Sequence, residues 1–299
     1  AGKFAMYFPI SVVEGMLIAI GMLIIVKQIP LLLGHLAPPV KSIPEAILQL
    51  PQEIIGMNPE IFLIGGLSLA LLFFLSNRKD RWVTLIPPPL LVVGLGAVAG
   101  WLLQLPKEYL IKVPYDIWEH GIHFPAFLDL WHRTDLWMDL LLIVITLTLI
   151  DGTESLATIA AVDKIDPYHR KSDPNVTLRA MGISNIVSSL AGGLTIIPGG
   201  VKSTTNILAG GRTLWANFYY ALCLLLMLWL GTGLINRIPL TVLAALLIYV
   251  GWRLCEPRIF RKILAIGKEQ LLIGVVTVAV TLYTSDLLEG VAIGTLTKI

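Results

Sequence analysis

Long runs of apolar residues recur along the whole chain and are separated by short polar segments. Runs that are long enough to cross a bilayer and carry few charges are typical of membrane-spanning helices. One stretch, 195–208, is too short to cross and predicts only a half-helix, because a helix rises about 1.5 Å per residue. The pattern predicts an all-α polytopic membrane protein with spans over 10–33, 60–76, 83–103, 136–163, 174–192, 215–234, 238–255 and 269–285, and a last span that begins near 287.

Composition and charge exclude several classes of function. The chain is 56% hydrophobic and 14% charged, which is far too apolar for a soluble domain. Its net charge of +2 indicates no nucleic-acid partner. The sequence shows neither a nucleophile–base pair nor metal-ligand spacing, so we expect neither an enzyme nor a metal site. Thirteen Lys and Arg residues, against five in the opposite loops, fall in segments that we therefore place on the cytoplasmic side: 77–82, 164–179, 209–214 and 253–268.

The segment Gly192–Asn206 places a lysine and several hydroxyl groups between hydrophobic spans. The run 194–197, which contains three β-branched residues, favours an extended strand, and a short helix can begin at Gly199. The first turn of a helix leaves free N–H groups that attract anions, and glycine lets an anion approach the backbone. A lysine in that turn adds positive charge. We therefore expect an inorganic anion to bind at Gly199, Gly200, Val201, Lys202 and Ser203.

The span 136–163 carries acidic and hydroxyl side chains at spacings of three and four residues, which puts them on one helical face. A charged carboxylate near the bilayer centre costs roughly 2.5–3.5 kcal/mol, so each one needs a cavity, a partner or a proton. Glu154 is the predicted site of a coupling ion or proton, with Asp151 and Thr158 beside it. The competing interpretation is a structural carboxylate that is satisfied by neighbouring hydroxyls or by Lys202.

An internal similarity bears on the architecture. Residues 9–21 align without gaps on residues 239–251: proline, valine, a leucine–isoleucine pair and glycine coincide, and Ser11 matches Thr241. The two helices are an odd number of membrane segments apart, which indicates opposite directions and hence an inverted-topology repeat. The predicted domains are 1–135, the remainder of the first repeat with an outer loop, and 136–299, the second repeat. The counterparts of 136–208 would then precede residue 1.

These motifs resemble the sulfate permease (SulP) family of inorganic anion transporters. The resemblance rests on Glu154-Ser155, on Lys171–Asn185, on Gly192–Thr213 and on Pro9–Pro30. It implies two inverted repeats of seven segments each, with a core domain moving against a gate domain and an anion between the third and tenth segments. By the same resemblance Glu154 is the coupling carboxylate, Thr158 stands where sodium-coupled members supply a hydroxyl, and Gly199–Val201 line the anion. The family's first four segments and its cytoplasmic STAS domain have no counterpart here, so we expect a fragment.

The expected function is secondary active transport of a small inorganic anion, sulfate or bicarbonate, coupled to H⁺ or Na⁺. Two alternatives stay open. One is a nucleobase or organic-anion permease of the same architecture, in which Glu154 would bind the substrate. The other is a non-transporting membrane fragment or subunit. We expect no cofactor besides the coupling ion. The expected partners are the anion, membrane lipid and a second copy of the chain in a homodimer, and the expected location is the bacterial inner membrane.

Overall fold

The computed structural model describes residues 10–36, 43–76, 78, 86–114, 132–199, 202–203, 206–207, 210–285 and 287–297. Within these ranges the chain is mainly helical, and its β pairing is one isolated bridge between Leu110 and Pro239. The helices are α1 (Ile10–Leu33), α2 (Ile43–Ile55), α3 (Pro59–Ser76), α4 (Pro88–Leu102), α5 (Trp137–Ile165), α6 (Pro174–Leu190), α7 (Trp215–Leu230), α8 (Thr232–Ile235), α9 (Leu240–Leu254), α10 (Pro257–Ile266), α11 (Lys268–Thr284) and α12 (Leu287–Leu296), with 3₁₀ turns at Lys107–Tyr109 and Thr134–Leu136.

Several of these helices are long and apolar enough to cross a membrane. In the described part of the chain the four stretches that qualify are Glu14–Leu33, Pro59–Ser76, Thr134–Leu156 and Leu240–Ile266. Helices α4 and α7 are apolar but shorter.

Two further helices, α2 and α10, lie where no span is predicted. Both are amphipathic: α10 buries Ile263 and exposes Arg258 and Arg261. Amphipathic helices contain no long apolar run, so a prediction based on such runs does not include them.

The chain divides into two compact units. We call Pro9–Val113 with Gly231–Ile299 the paired unit, and Ala1–Phe8 with Pro114–Leu230 the central unit. The predicted boundary at residue 135 separates two repeats rather than two compact units, and the paired unit collects helices from both predicted repeats.

The paired unit is organised around the crossing of α1 and α9 at Gly21 and Gly251. A Cβ added at Gly21 would lie 2.6 Å from the Gly251 carbonyl oxygen, and a Cβ added at Gly251 would lie 2.6 Å from the Gly21 carbonyl oxygen. Real side chains do not come this close to a backbone oxygen, so the two helices can touch only because both residues are glycine. These are the two glycines that coincide in the internal alignment.

The aligned hydroxyl residues each attach their helix to a neighbour. Ser11, which is fully buried, donates a hydrogen bond to Gln270 Oε1 in α11 at 2.7 Å. Thr241 donates to the carbonyl oxygen of Ile61 in α3 at 3.3 Å and packs against Gly65. Helices α3 and α11 are also similar in sequence, since residues 60–68 align on 269–277 with Glu, Leu-Ile-Gly and a Ser/Thr position in common. The paired unit thus repeats one pairing of helices, α1 with α11 and α9 with α3.

The central unit contains α5, α6 and α7 in its described part. Helices α6 and α7 have no buried residue, and the most apolar stretch of α5 has none either. Burial is confined to the C-terminal half of α5 and the residue after it: Ser155, Ile159 and Asp166. This is the part of the unit that contains the predicted site.

Candidate functional site

The anion site predicted after Pro198 is described at Gly199, Lys202 and Ser203, whereas Gly200 and Val201 lie outside the described residues. The Ser203 N–H donates to the Gly199 carbonyl oxygen at 2.9 Å, which is the hydrogen bond of a first helical turn. The described residues that follow, 202–203 and 206–207, are helical.

The far end of the half-helix is closed by a glycine. Gly210 has a φ of +85°, in the left-handed region, and the Gly211 N–H donates to the Asn206 carbonyl oxygen at 2.8 Å. Helical hydrogen bonding begins at Gly199, within the stretch 195–208 and at the residue where the sequence predicts that the short helix opens. The β-branched residues before Gly199 and the proline at 198 keep the start of that stretch out of the helix.

The segment 194–198, which leads into the half-helix, is not helical and is bonded to α6. The side-chain amide of Asn185 donates to the Ile196 carbonyl oxygen at 2.9 Å and accepts from the Ile196 N–H at 2.6 Å. One turn further along α6, the Ser188 hydroxyl donates to the Leu194 carbonyl oxygen at 2.9 Å. The sequence analysis missed Asn185 and Ser188; their spacing of three on the helix before the extended run is the signal that was available.

The predicted coupling residues lie together on α5, as their spacing requires. Asp151, Glu154 and Thr158 are all half-buried. Ser155, between them, is fully buried; its hydroxyl donates to the Asp151 carbonyl oxygen and lies 2.9 Å from the sulfur of Met181 in α6. The Ser155 hydroxyl is thus occupied by its own helix and by α6, while Glu154 and Thr158 share the face on which a proton or cation could be held.

Lys202 is exposed and its ammonium lies over an aromatic ring. Its Nζ is 5.5 Å from the centroid of Tyr220 in α7, within the range of a cation–π interaction. A Cβ added at Gly199 would lie 3.3 Å from Lys202 Cδ, so the lysine stem folds back over the start of the half-helix. Among the described residues no ion pair joins Lys202 to Glu154.

An ion pair between the buried carboxylate of Asp166 and the exposed side chain of Arg170 lies at the end of α5 that the charge pattern assigns to the cytoplasm. Arg170 donates to Asp166 through Nε at 2.8 Å and through Nη2 at 2.9 Å, and its Nη1 donates to the Arg212 carbonyl oxygen at 3.1 Å. These hydrogen bonds hold the pKa of Asp166 well below its usual range. Arg170 therefore connects the end of α5 to the loop after the half-helix. The i,i+4 spacing of Asp166 and Arg170 was visible in the sequence and was not used.

A cavity of about 480 Å³ lies beside this ion pair. Its lining includes Asp163, Ser172, Ser203 and Asn206, so it reaches from α5 to the half-helix. Asp163 is occupied within it, since it accepts from both the N–H and the hydroxyl of Ser172. In the described part of the chain no group of three or more metal-ligating side chains occurs.

The architecture matches that of solved anion-transporter structures. The chain aligns over its full length with 70% of the transmembrane domain of a cyanobacterium bicarbonate transporter BicA, at 20% identity and a TM-score of 0.72. It aligns over 97% of its length with 46% of the overall structure of SLC26A9, at 18% identity and a TM-score of 0.77. At these identities the similarity shows the fold, and it confirms the predicted helical inverted-repeat architecture.

The sequence places the chain in a family. The profile of the sulfate permease family matches residues 1–277, so the chain belongs to that family and the predicted resemblance is confirmed. It is 25% identical over 98% of its length to the bicarbonate transporter BicA of Synechocystis sp., covering 50% of that protein. It is 24% identical over 99% of its length to the putative sulfate transporter YvdB of Bacillus subtilis, covering 54%. The chain thus spans about half the length of these curated relatives.

Proposed function

We propose that this chain forms the anion site of a secondary active carrier that moves bicarbonate or sulfate and is driven by H⁺ or Na⁺. The family and the names of the two relatives support the class of substrate. We also propose that it acts as a homodimer in a bacterial inner membrane. A cross-linked dimer in native membranes would support the proposed homodimer, and a monomer under the same conditions would contradict it.

One observation carries the proposal: helical hydrogen bonding starts at Gly199, directly after a non-helical segment, in a unit whose helices are largely apolar. A helix that begins inside such a unit presents unpaired N–H groups and the positive end of its dipole where water is scarce. Lys202 adds a full positive charge in the first turn. The cation–π contact with Tyr220 is weak enough, about 0.5–2 kcal/mol, to be given up when an anion arrives.

The coupling role is proposed for Glu154, with Asp151 and Thr158 beside it. A half-buried carboxylate on an apolar helix is stable when it holds a proton or a cation, and it therefore favours binding of either one. Loading this face with positive charge makes the approach of an anion to the half-helix electrostatically easier. Anion and coupling ion would then move together.

The test is uptake of labelled bicarbonate and sulfate into proteoliposomes that contain the protein as purified from its native membrane. Inward proton and sodium gradients are imposed separately. We expect Glu154→Gln to abolish the gradient dependence of uptake, and Lys202→Ala to raise KM by at least about tenfold, the loss expected of a charge-assisted contact. The matched controls are Asp139→Asn in the first turn of α5 and Lys268→Ala in the first turn of α11.

The outcomes separate the roles. Both controls should keep wild-type uptake and coupling. If Glu154→Gln still showed gradient-dependent uptake, Glu154 would not be the coupling residue. That result would leave the proposed anion site unaffected. A folded wild-type protein that moves neither anion under either gradient would overturn the proposed function and leave the nucleobase permease and the non-transporting subunit as the alternatives.

A further inference from the structure

We propose that Asn185 is a positioning residue that sets the depth and register of the anion site. The inference rests on the proposed function, because it concerns the same site. Asn185 acts through the segment 194–198, which leads directly into the first turn of the half-helix.

The geometry of the contact is that of a neighbouring β-strand. In extended backbone the N–H and C=O of one residue point to the same side. The Asn185 amide offers one donor and one acceptor, and it bonds both groups of Ile196, at 2.9 Å and 2.6 Å. The Ser188 hydroxyl donates to the carbonyl oxygen of Leu194, which lies two residues earlier on the same edge of the extended segment. A slip of one residue would present Ile196 to the opposite edge and break these contacts, so the pair of side chains specifies one register.

The register at Ile196 also determines the position of Gly199, because the connection between them is short and stiff. Only Ile197 and Pro198 lie between Ile196 and the residue whose carbonyl begins the helix. Proline has a fixed φ, and the residue before a proline is excluded from most of the helical region. The connection is therefore stiff, and a shift of one residue at Ile196 would move the start of the half-helix by about 3.3 Å. That displacement is comparable to the length of a hydrogen bond to an anion.

The same face of α6 also contacts the coupling helix. Met181 lies one turn before Asn185 on α6, and its sulfur is 2.9 Å from the hydroxyl of Ser155, the neighbour of Glu154. The N-terminus of α6 is itself fixed, because Asp173 caps it with hydrogen bonds from the N–H groups of Asn175 and Val176. Through α6, Asn185 thus relates the height of the anion site to α5, the helix that carries the proposed coupling carboxylate.

The experiment compares Asn185→Leu, which keeps the branched side-chain shape and removes both hydrogen bonds, with Asn185→Gln, which keeps the amide one methylene further out. Bicarbonate and sulfate uptake is measured in proteoliposomes per folded molecule, and KM is separated from kcat. We expect Asn185→Leu to raise KM about tenfold with kcat within about twofold of wild type, and Asn185→Gln to recover part of the loss. The matched control is Ser189→Ala on the same helix, because the Ser189 hydroxyl bonds only the Ile186 carbonyl of its own helix among the described residues.

Hydrogen exchange of the Ile196 amide gives a readout that does not depend on transport. Wild type should protect this N–H and Asn185→Leu should lose the protection, while Ser189→Ala keeps it. An unprotected Ile196 amide in wild type, or an unchanged KM in a folded Asn185→Leu, would overturn the positioning role while wild-type transport stands. Wild-type protein without uptake would instead signal the failure of the proposed function itself.

If Asn185→Leu does not fold, Ser188→Ala and Asn185→Gln decide the question. Ser188→Ala removes only the bond to Leu194 and should raise KM about threefold, less than the loss of both Asn185 bonds. A wild-type KM in both variants would contradict the proposal.

Discussion

In the paired unit, α1 buries 44% of its most apolar stretch against other helices, whereas in the central unit α5 buries none of its own. Both stretches have the length and composition of membrane spans. The difference lies in what they contact: α1 and α9 meet backbone to backbone at glycines, whereas the described contact between α5 and α6 joins Ser155 to Met181. Apolar composition shows that a helix avoids water, and it leaves open whether protein or lipid covers it.

The two units also differ in how they use their polar residues. The paired unit uses Ser11 and Thr241 to attach helices to one another. The central unit keeps its carboxylates half-buried and uses hydroxyl and amide groups to hold a non-helical segment. A unit with a closed core provides stiffness, and a unit with few buried contacts provides room for ligands. We expect three substitution pairs to test this comparison, in order of decreasing effect.

The largest contrast is expected between two glycines. Gly21→Ala places a Cβ against the Gly251 carbonyl and should lower the free energy of unfolding by about 1–3 kcal/mol. Gly182→Ala, in α6, meets open space and should raise it by about 0.5–1 kcal/mol, because alanine is the better helix former. Denaturant unfolding in one detergent measures both. Equal effects of the two substitutions would refute the contrast between the units.

Replacing one threonine in each unit with valine exchanges a hydroxyl group for a methyl group. We expect a smaller contrast in stability from this pair. Thr241→Val breaks the bond from α9 to the Ile61 carbonyl and should cost about 1 kcal/mol. Thr148→Val in α5 should change little, because its hydroxyl donates to Val144 within the same helix and is exposed. Thermal unfolding of both variants in the same detergent is the measurement. A Thr148→Val protein that melts as early as Thr241→Val would show that α5 is as tightly integrated as α9.

The smallest effect concerns the ion pair at the end of α5. The pKa of Asp166 is lowered by Arg170, so the pair adds stability above the usual carboxyl pKa of 3.8, and that stability is lost as the pH falls through the lowered value. Arg170→Gln removes the cause, so the variant should be less stable than wild type near pH 7 and should lose less stability than wild type as the pH falls. Unfolding temperatures between pH 7 and pH 3 test this.

The control for the ion pair is Arg253→Gln in the paired unit, because its partner Glu256 is 26% exposed whereas Asp166 is 6% exposed. Its pH profile should match that of wild type. Superimposable profiles for Arg170→Gln and wild type would contradict the role of the Asp166–Arg170 pair.

The helices of the paired unit were largely predictable from the sequence. The predicted span 10–33 coincides with α1 because an uninterrupted apolar run leaves little choice of boundary. The aligned glycines Gly21 and Gly251 also marked the crossing, since a repeat preserves the residues that permit a close contact. The second similarity, between 60–68 and 269–277, was available and was not found.

The central unit was less predictable in its details. Chemistry-bearing residue types and their spacing were sufficient to single out Glu154 and Lys202. The roles of Asn185 and Arg170 depend instead on which backbone groups a non-helical segment and a loop present to them, and no periodicity encodes that. The start of the half-helix at Gly199 was predictable, because it has a local cause: three β-branched residues followed by proline precede it.

The contact between Gly21 and Gly251 has a mechanical consequence. Two helices that touch through their backbones are flanked by side chains on both sides of the contact, so sliding one along the other would drive those side chains into a backbone. The crossing of α1 and α9 therefore fixes the position of each helix along the axis of the other.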